Sequence, residues 1–351
     1  MQKTKYYSWK KGNLAKGCQL CIKGQKMVLF ITGLCHKHCY FCPISEKKFN
    51  KDVFYINELK TNNLKKILEE TKKGNSLGCG ITGGDPLMKI KRTTKLIKFL
   101  KKTFKNKFHI HLYTPLELVN ESNLKQLNQV GLDEIRFHPS LDSNRLWNKI
   151  SLANKFKWGI GVEIPLLPNK EKEIKQLCDF IDDKVDFLNL NELEVSDTNS
   201  DALIKMGFKI KSKDSFAVKG SEKLGLKILK YCKNKHYNIH LCTAKLKDKI
   251  QFTNRIIKYA QSTAKPYDLI TKEGMLKHGA IYTKNPKTTY NLLIKKFKVP
   301  KKLLEMDNKN KRILTGDWIV LELKDKLKQY KLAIIEQYPT AEKTEIEVTY
   351  L

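Results

Sequence analysis

The sequence predicts an α/β fold built around a parallel β-sheet, and three observations support this prediction. Short apolar segments alternate with amphipathic helical segments from residue 27 to residue 193, which is the pattern of consecutive βαβ units. Several of the apolar segments carry a polar residue at every second position, so one face of each strand is polar. Three closely spaced cysteines follow the first predicted strand directly.

Six strands and five intervening helices are predicted in this part of the chain. The strands are predicted at residues 27–31, 78–82, 108–114, 133–138, 159–166 and 186–193. The helices are predicted at residues 62–73, 91–104, 121–130, 143–157 and 170–182. Because βαβ crossovers join neighbouring strands in one direction, the sheet should be parallel. Six repeats are fewer than the eight of a closed barrel.

The sequence divides into four predicted regions. These are an N-terminal lead-in with a Cys-x-x-Cys pair at 1–25, the main α/β region at 26–196, an α/β extension at 197–266 and a small C-terminal α+β module at 267–351. Residues 1–16 are expected to pack on the outside of the sheet. The extension is predicted to contain helix 220–234, strand 238–242 and helix 247–262, and Lys265-Pro266 marks its end. A terminal hairpin is predicted at 332–337 and 344–350.

Length and composition indicate a folded protein with metal chemistry. With 351 residues, of which 41% are hydrophobic, the chain can bury a large core. No apolar run reaches the 18 residues of a membrane span, and no secretory leader is recognisable. Nine cysteines are too few for a disulfide scaffold in a chain of this length. We therefore expect a cytoplasmic location, no membrane partner and metal binding by the clustered cysteines.

The formal net charge of +32 makes RNA a possible substrate or partner, because a basic surface attracts phosphates. However, 63 lysines stand against only 5 arginines. Arginine is the residue that grips phosphates and bases in a bidentate manner, whereas lysine spread over every helix is typical of solvent-exposed faces. No RNA-binding motif is recognisable, so charge alone supports the RNA hypothesis.

The cysteine loop carries the strongest functional signal. Cys35, Cys39 and Cys42 follow a strand that is apolar on both faces, so they lie in the loop at its C-terminal end. Thiolates at this spacing can bind an iron–sulfur cluster or zinc. A structural zinc site needs four protein ligands, whereas a [4Fe–4S] cluster with one open iron needs three cysteines. A zinc knuckle completed from elsewhere and incidental cysteines remain the alternatives.

Polar residues converge at the ends of the other predicted strands. Gly83, Gly84, Asp85 and Pro86 follow the second strand, where two glycines allow the backbone to approach a ligand closely. Further polar residues share one face of the later strands, and burying them is costly unless they are paired or bind a ligand. These residues are His109, His111, Tyr113, Arg136, His138, Glu163, Asn189, Asn191, Glu192 and Glu194. A polar sheet face predicts an interior that holds a ligand.

The three cysteines, with the aromatic Phe41 before the last of them, resemble the signature of the radical SAM superfamily. Within it, the chain is most similar to archaeal proteins related to pyruvate formate-lyase activating enzyme. The resemblance covers residues 17–275, and the final quarter of the chain is not diagnostic. It implies a partial (β/α)6 barrel, open on one side, to which the βα extension and the small C-terminal module predicted from the segment pattern are added.

The resemblance also implies cofactors and roles for individual residues. Cys35, Cys39 and Cys42 would hold a [4Fe–4S] cluster, and S-adenosylmethionine (SAM) would bind at its open iron. Residues 83–86 resemble the Gly-Gly-Glu-Pro element that receives the methionyl amino group, with Asp85 in place of glutamate. Residues on the fourth and fifth strands hold the ribose and carboxylate of SAM in this family, which makes Arg136, His138 and Glu163 the expected cofactor contacts. The remaining polar residues, His109, His111, Tyr113, Asn189, Asn191, Glu192 and Glu194, would face the substrate.

A second metal site is a further hypothesis. Cys18 and Cys21 form a short pair, and strand alternation places His240 and Cys242 on one face of a later strand. Together they could bind zinc or, with three cysteines, an auxiliary Fe–S cluster. Reduced cysteines without metal are the alternative.

These features predict a radical SAM enzyme that cleaves SAM reductively and abstracts a hydrogen atom from a polar substrate. The substrate would be a small metabolite or cofactor precursor, or a nucleoside in RNA, and an electron donor such as ferredoxin or flavodoxin would be needed. One alternative is an activating enzyme that acts on a glycine of a partner protein. The other is a non-catalytic zinc or Fe–S module that binds RNA.

Overall fold

The computed structural model describes residues 1–213 and 215–351. They form two compact units, one of residues Met1–Leu68 and Ser76–Phe252 and one of residues Glu69–Asn75 and Thr253–Leu351. The predicted boundaries at 25, 196 and 266 differ from this division, because strand pairing joins the first two regions to the third. The helix before Lys265 belongs to the second unit, where the Tyr259 hydroxyl donates to the Glu70 carboxylate over 2.9 Å.

The first unit contains one large sheet and a separate hairpin. The strands are β1 Gln2–Lys3, β2 Trp9–Lys11, β3 Lys26–Phe30, β4 Tyr55–Ile56, β5 Leu59–Lys60, β6 Gly78–Thr82, β7 His109–Pro115, β8 Glu134–His138, β9 Gly159–Leu166, β10 Phe187–Glu192, β11 Ile210–Ser212, β12 Ser215–Val218 and β13 Asn238–Cys242. The sheet has the order β1-β2-β13-β10-β9-β8-β7-β6-β3-β4-β5. From β13 to β3 all neighbours are parallel. The predicted α/β class, the six strands and the additional βα unit are confirmed.

Helices connect the parallel strands. They are α1 Lys16–Ile22, α2 Leu64–Lys73, α3 Ile90–Phe104, α4 Glu121–Gln129, α5 Glu171–Phe180, α6 Ser200–Lys205, α7 Ser221–Tyr231 and α8 Ala244–Leu246. A π-helix, Lys247–Phe252, follows α8 directly. The helix predicted at 143–157 is wrong, since the segment Trp147–Lys155 forms 3-10 turns. There the Lys149 ammonium donates to the carbonyl oxygens of Leu116 and Glu117, which ties the segment to the preceding loop.

One face of the parallel sheet packs on the connecting helices, among them α3, α4, α5 and α7, and is apolar. Ile110, Leu112, Ile135, Phe137 and Val162 are completely buried on it, and they alternate with the polar residues of the opposite face. The alternation therefore places the polar side chains on the face away from the packed helices, as predicted.

The N-terminal segment does not pack on the outside of the sheet, and that prediction was wrong. Strand β2 pairs antiparallel with β13 and extends the sheet by main-chain hydrogen bonds. Helix α1 covers part of the polar face, because Gly17 contacts the side chains of Arg136 and His111 and the Leu20 side chain reaches Gly78. A Cβ atom on Gly17 would lie 2.5 Å from an Arg136 nitrogen and 2.6 Å from His111 Nδ1.

The second unit has its own antiparallel sheet and core. Its elements are α9 Thr253–Thr263, β14 Leu269–Ile270, β15 Leu276–Tyr282, α10 Pro286–Lys295, β16 Glu305–Asp307, β17 Arg312–Thr315, α11 Asp317–Leu323, β18 Lys331–Gln337 and β19 Glu345–Tyr350. The strand order is β16-β17-β15-β18-β19, with β14 added to β15. The predicted C-terminal hairpin is confirmed as β18 and β19. Within the described part of the chain, no helix combines the length and apolar character needed to cross a membrane.

Candidate active site

The cysteine loop lies between β3 and β4, at the C-terminal ends of the parallel strands. Cys35, Cys39 and Cys42 are all partly exposed, and they form no disulfide bond with one another. The Lys37 backbone N–H donates to Cys35 Sγ over 3.4 Å. Burial raises the pKa of all three thiols, that of Cys39 to about 11. A positively charged metal centre is therefore needed to hold them as thiolates, which is the form that binds metal.

The spacing of the three sulfur atoms favours a cluster over a single zinc ion. Zinc–sulfur bonds of about 2.3 Å in a tetrahedron would place the sulfurs about 3.8 Å apart. The three cysteines do not form a group whose ligand atoms all lie within 4.8 Å of one another. An iron–sulfur cluster is larger than one ion and needs ligands that stand farther apart. The residues present thus fit a cluster held by three cysteines, and they disfavour a zinc knuckle.

Two side chains that the sequence did not single out hold the cysteine loop. The Asn199 amide donates to the Phe41 carbonyl over 3.1 Å, and the Thr198 hydroxyl donates to the Cys42 carbonyl over 3.5 Å. Both residues belong to the segment after β10, so the loop is fixed across the strand ends.

The glycine pair after β6 lies flat against the start of the cysteine loop. Gly83 has a φ of +151°, and a Cβ atom there would lie 2.3 Å from the Thr32 carbonyl oxygen. The Gly84 and Asp85 backbone N–H groups donate to the carbonyl oxygens of Thr32 and Leu34, both over 2.8 Å. Glycine is required at Gly83 because a side chain would meet the backbone of the neighbouring strand end.

Asp85 is buried behind these glycines and caps the 3-10 turn that begins at Pro86. Its Oδ1 accepts from the Leu87 backbone N–H and from the Thr114 hydroxyl, each over 2.9 Å. Its Oδ2 is buried and has no hydrogen-bond partner. Burial raises the pKa of Asp85 to about 6, so the carboxylate is held in an unfavourable environment. Neither Asp85 nor Pro86 lines the cavity described below.

Arg136 and Glu163 form the centre of a buried ionic network. The Arg136 guanidinium donates to Glu163 over 2.8 Å, to Glu134 over 2.6 Å and to the Tyr113 hydroxyl over 3.2 Å. The amides of Asn189 and Asn191 donate to the two oxygens of Glu163, each over 2.9 Å. Burial alone would raise the pKa of Glu163, but Arg136 and the two amides hold it below its usual value. Both residues are therefore charged and largely occupied by each other.

His138 stands at the end of β8 with a defined tautomer. Its Nδ1 lies 2.9 Å from the Glu163 carbonyl oxygen, so Nδ1 carries the proton and donates. Burial lowers the pKa of His138, which keeps the ring neutral and leaves Nε2 as an acceptor. The ring packs edge-on against Phe41, with centroids 5.9 Å apart.

A cavity of about 410 Å³ joins these groups. Its walls include the three cysteines and Phe41 at one end, the glycine pair beside them, and polar side chains of β7 to β10 at the other end. The sequence-predicted residues that line it are Cys35, Cys39, Phe41, Cys42, Gly83, Gly84, Tyr113, Arg136, His138, Glu163, Asn191, Glu192 and Glu194. A second cavity of about 190 Å³ shares Phe41 and His138 and adds Tyr40 and Leu141.

Three of the residues expected to face the substrate lie elsewhere. His109, His111 and Asn189 do not line the cavity. His111 lies beside Gly17 of α1, and the Asn189 amide is 3.2 Å from Cys18 Sγ, so helix α1 separates this part of the polar face from solvent. Strand periodicity gives the correct face for these residues, but it cannot show that a helix distant in sequence covers them.

Lys247 is a cavity residue that the sequence did not reveal. It is the first residue of the π-helix and lines the cavity beside Glu194, with which it forms an ion pair. Its ammonium also donates to the Glu192 carbonyl over 3.2 Å. Burial disfavours the charge, but Glu194 raises the pKa of Lys247, so the group stays protonated at neutral pH. Because π-turns have no simple sequence pattern, nothing distinguished Lys247 from the many surface lysines.

The residues of the hypothetical second metal site lie between α1 and β13. Cys18 and Cys242 are buried, and burial raises the pKa of Cys242 to about 12. Cys18, Cys21, His240 and Cys242 provide no three ligand atoms within 4.8 Å of one another, which is too far apart for one zinc ion. Both versions of this hypothesis, a zinc site and an auxiliary cluster, stay predictions, and either would need these side chains to move closer together.

Comparisons with known proteins agree with this geometry. The chain matches the radical SAM superfamily over residues 29–150, and residues 274–351 match a domain of unknown function, DUF8061. A protein of Methanocaldococcus jannaschii that carries the provisional name glycyl-radical enzyme activating enzyme is 42% identical, and the match covers 98% of this chain and 94% of that protein.

Solved structures to which the chain shows similarity include SuiB of Streptococcus suis bound to SAM and the methylornithine synthase PylB. SuiB is 15% identical with a TM-score of 0.43, and the match covers 62% of this chain and 50% of SuiB. PylB is 12% identical with a TM-score of 0.42, and the match covers 60% of this chain and 63% of PylB.

The enzyme prediction is confirmed by the superfamily match and by the 42% identical relative, and the alternative of a non-catalytic binding module is wrong. With 42% identity over nearly the whole chain and the cysteine loop in place, the protein belongs to the radical SAM superfamily, and its cofactors are a [4Fe–4S] cluster and SAM.

Proposed function

We propose that this enzyme abstracts a hydrogen atom from a small polar substrate that binds at the end of the cavity lined by Glu192, Glu194 and Lys247. The observation that carries the proposal is the continuity of one cavity from the three cysteines to Glu192, Glu194 and Lys247. When bound, the cluster and SAM supply reductive cleavage of SAM to methionine and a 5′-deoxyadenosyl radical. This requires a one-electron donor.

The residues between the two ends would hold SAM. The backbone of Gly83 and Gly84 faces the cavity beside the cysteines and is suited to the methionyl amino group. His138 Nε2 offers an acceptor for a ribose hydroxyl, while the network of Arg136 and Glu163 forms the wall behind it. Phe41 and His138, whose ring centroids are 5.9 Å apart, offer an aromatic surface for a flat base, and Tyr40 of the second cavity packs behind Phe41 at 5.1 Å.

The substrate end of the cavity is polar and charged. Glu192 is buried, and its Oε2 accepts from the Ala244 backbone N–H over 2.8 Å. Glu194 and Lys247 supply one carboxylate and one ammonium on the same wall. Both side chains of this pair are partly exposed at the cavity wall, so the pair is suited to a substrate that carries its own polar or charged groups. The cavity volume is in the range of small-molecule sites, and SAM must share it.

A second candidate function is activation of a partner protein by formation of a glycyl radical. The 42% identical archaeal relative, which carries that provisional name, favours this function. A cavity largely filled by cofactors could admit a single glycine from a protein loop.

Deuterium transfer separates these functions. Cells of the native host are grown in deuterated water, and their extract is divided into a low-molecular-weight filtrate and a macromolecular fraction. Each fraction is added to reconstituted enzyme, SAM and reductant, and deuterium in 5′-deoxyadenosine is measured. Transfer from the filtrate is expected. Transfer only from a protease-sensitive macromolecular fraction would instead establish a protein substrate, and a ribonuclease-sensitive one would establish RNA.

The cluster assignment has its own test. Reconstituted enzyme with SAM and a strong reductant should release 5′-deoxyadenosine even without substrate. Replacing Cys35, Cys39 or Cys42 by alanine should abolish this release, because each supplies one of three cluster ligands. Turnover that persists in any one variant would contradict the assignment, and Cys79→Ala is the matched control, since Cys79 is buried within β6.

A further inference from the structure

A cluster of metal-binding side chains lies on the polar face of the sheet, outside the cavity. His109, His111 and Glu134 each offer a ligand atom, and these atoms all lie within 4.8 Å of one another. None of the three lines the cavity that holds the cysteine loop. We propose that they bind a zinc ion beneath helix α1.

The spacing of the first two ligands already suits zinc. His109 Nε2 and Glu134 Oε2 are 3.3 Å apart. Two ligands about 2.0–2.1 Å from a tetrahedral zinc ion are separated by about 3.3–3.4 Å. His109 and His111 are two residues apart on β7 and share a face, and His111 pairs in register with Glu134 on β8. The parallel sheet itself thus brings the three side chains together.

The third ligand has a free, buried nitrogen. His111 is completely buried, and its Nδ1 has no hydrogen-bond partner. Its Nε2 lies 3.3 Å from the Tyr113 hydroxyl. Histidines that bind metal through one nitrogen usually donate the other N–H to a nearby oxygen, and Tyr113 is placed to accept it. Gly17 of α1 lies over Nδ1, and because glycine has no Cβ atom, the position 2.6 Å from Nδ1 that a side chain would fill is left open.

Glu134 has one oxygen available for the ion. Its Oε1 accepts from Arg136 Nε over 2.6 Å, whereas Oε2 has only the Gly17 backbone N–H at 3.4 Å and His109 nearby. Arg136 would orient the carboxylate from outside, while Oε2 binds the metal. Two imidazoles and one carboxylate form the three-ligand set of an open zinc site, in which a water completes the tetrahedron, and not the four-ligand set of a closed structural site. Bound there, the ion would link β7 and β8 directly beneath the first turn of α1.

The test measures zinc in the full chain without its iron–sulfur cluster. The variant Cys35→Ser/Cys39→Ser/Cys42→Ser is purified anaerobically, passed through a chelator and a gel-filtration column, and analysed by mass spectrometry of metals. About one zinc per chain is expected. Adding His111→Gln or Glu134→Gln should lower the zinc content at least about five-fold, with an unchanged far-ultraviolet circular dichroism spectrum.

Two matched controls distinguish this site from other clusters. His236→Gln disrupts the exposed group of Asp182, Asp183 and His236, and the triple variant Cys18→Ala/Cys21→Ala/Cys242→Ala removes the cysteines near α1. Neither should change the zinc content. The proposal would be overturned if the parent variant contained no zinc. It would also be overturned if a control variant lost its zinc while the His111→Gln variant kept it. The parent variant can also be loaded with cobalt in place of zinc. Because the proposed ligands include no cysteine, a thiolate-to-cobalt charge-transfer absorption would contradict the proposal.

Discussion

At the residue scale, the wall of the cavity is formed in part by buried charged side chains that pair with side chains of opposite charge. Arg136 forms ion pairs with Glu134 and Glu163 at once, whereas the Lys247–Glu194 pair is partly exposed. Removing one partner from the Arg136 network leaves an uncompensated buried charge, which costs about 3–5 kcal/mol. Truncation of Arg136 or Glu163 should therefore reduce stability as well as SAM binding. Asp85 differs, because half of its carboxylate has no partner.

Replacing Asp85 by asparagine should change the pH dependence of stability. The pKa of Asp85 is about 6 in the folded protein and about 3.9 in an unfolded chain. Between these values the folded state binds more protons, so the free energy of unfolding falls as pH rises. From about pH 5.5 to about pH 7.5, wild type should lose about 1 kcal/mol more than Asp85→Asn in urea denaturation without SAM.

The exposed Glu121→Gln variant is the control for this measurement, and it should keep the wild-type pH dependence. Parallel stability curves for wild type and Asp85→Asn would show that Asp85 does not titrate in this window. The same variant should bind SAM more weakly with unchanged iron content, because Asp85 supports the glycine pair without being a cluster ligand.

Lys247 should determine substrate binding without affecting SAM cleavage. Lys247→Met combined with Glu194→Gln removes both charges of the pair and leaves neither unpaired. A charge-assisted hydrogen bond contributes about 1.5–3 kcal/mol, so the substrate KM should rise about ten-fold or more. Uncoupled release of 5′-deoxyadenosine should stay within about two-fold of wild type. Lys245→Met, an exposed neighbour, is the matched control, and an unchanged KM in the double variant would remove Lys247 from the substrate site.

At the element scale, the polar face of the sheet is divided by helix α1. The strand ends beyond the helix surround the cavity, and beneath the helix Glu134 and His111 lie against Gly17. Arg136 lies against Gly17 and also lines the cavity. The strands and the cysteine loop could be predicted, because periodicity and ligand spacing are local signals. The position of α1 could not, since a seven-residue helix carries little periodicity and its contacts lie about a hundred residues away. The same limit explains why His111 and Asn189 were expected in the cavity.

Gly17→Ala tests the packing of α1 on the polar face. Alanine at a helical position normally stabilises by up to about 1 kcal/mol relative to glycine. Here its Cβ would lie 2.5–2.6 Å from buried atoms of Arg136 and His111 that cannot move freely. We expect a net loss of about 1–3 kcal/mol in the free energy of unfolding, measured with urea. Gln19→Ala, on the exposed side of the same helix, should change stability by less than about 0.5 kcal/mol. Stabilisation by Gly17→Ala would mean that α1 is loosely seated.

At the scale of the whole molecule, the chain forms two units of different architecture, and its formal net charge is strongly positive. The first unit contains every residue assigned to the cofactors, and the second has a separate antiparallel sheet and core. The fold class of both parts followed from the sequence, but the division between them did not. The helix before Lys265 has the same amphipathic pattern whichever core it packs against.

The net charge of +32 leads to a prediction about RNA at this scale. Binding to RNA should occur at low salt and weaken at least about ten-fold between about 50 and about 200 mM salt, because lysines neutralise phosphates without reading bases. The polar wall of the cavity contains both signs of charge, Glu192 and Glu194 beside Lys247, which does not favour a phosphodiester chain. Single-stranded RNA should therefore fail to stimulate 5′-deoxyadenosine release at about 200 mM salt. Fluorescence anisotropy measures the binding, and chromatography of the nucleoside measures the release. Stimulation that survives this salt concentration and disappears after ribonuclease treatment would identify RNA as the substrate and contradict the small-molecule proposal.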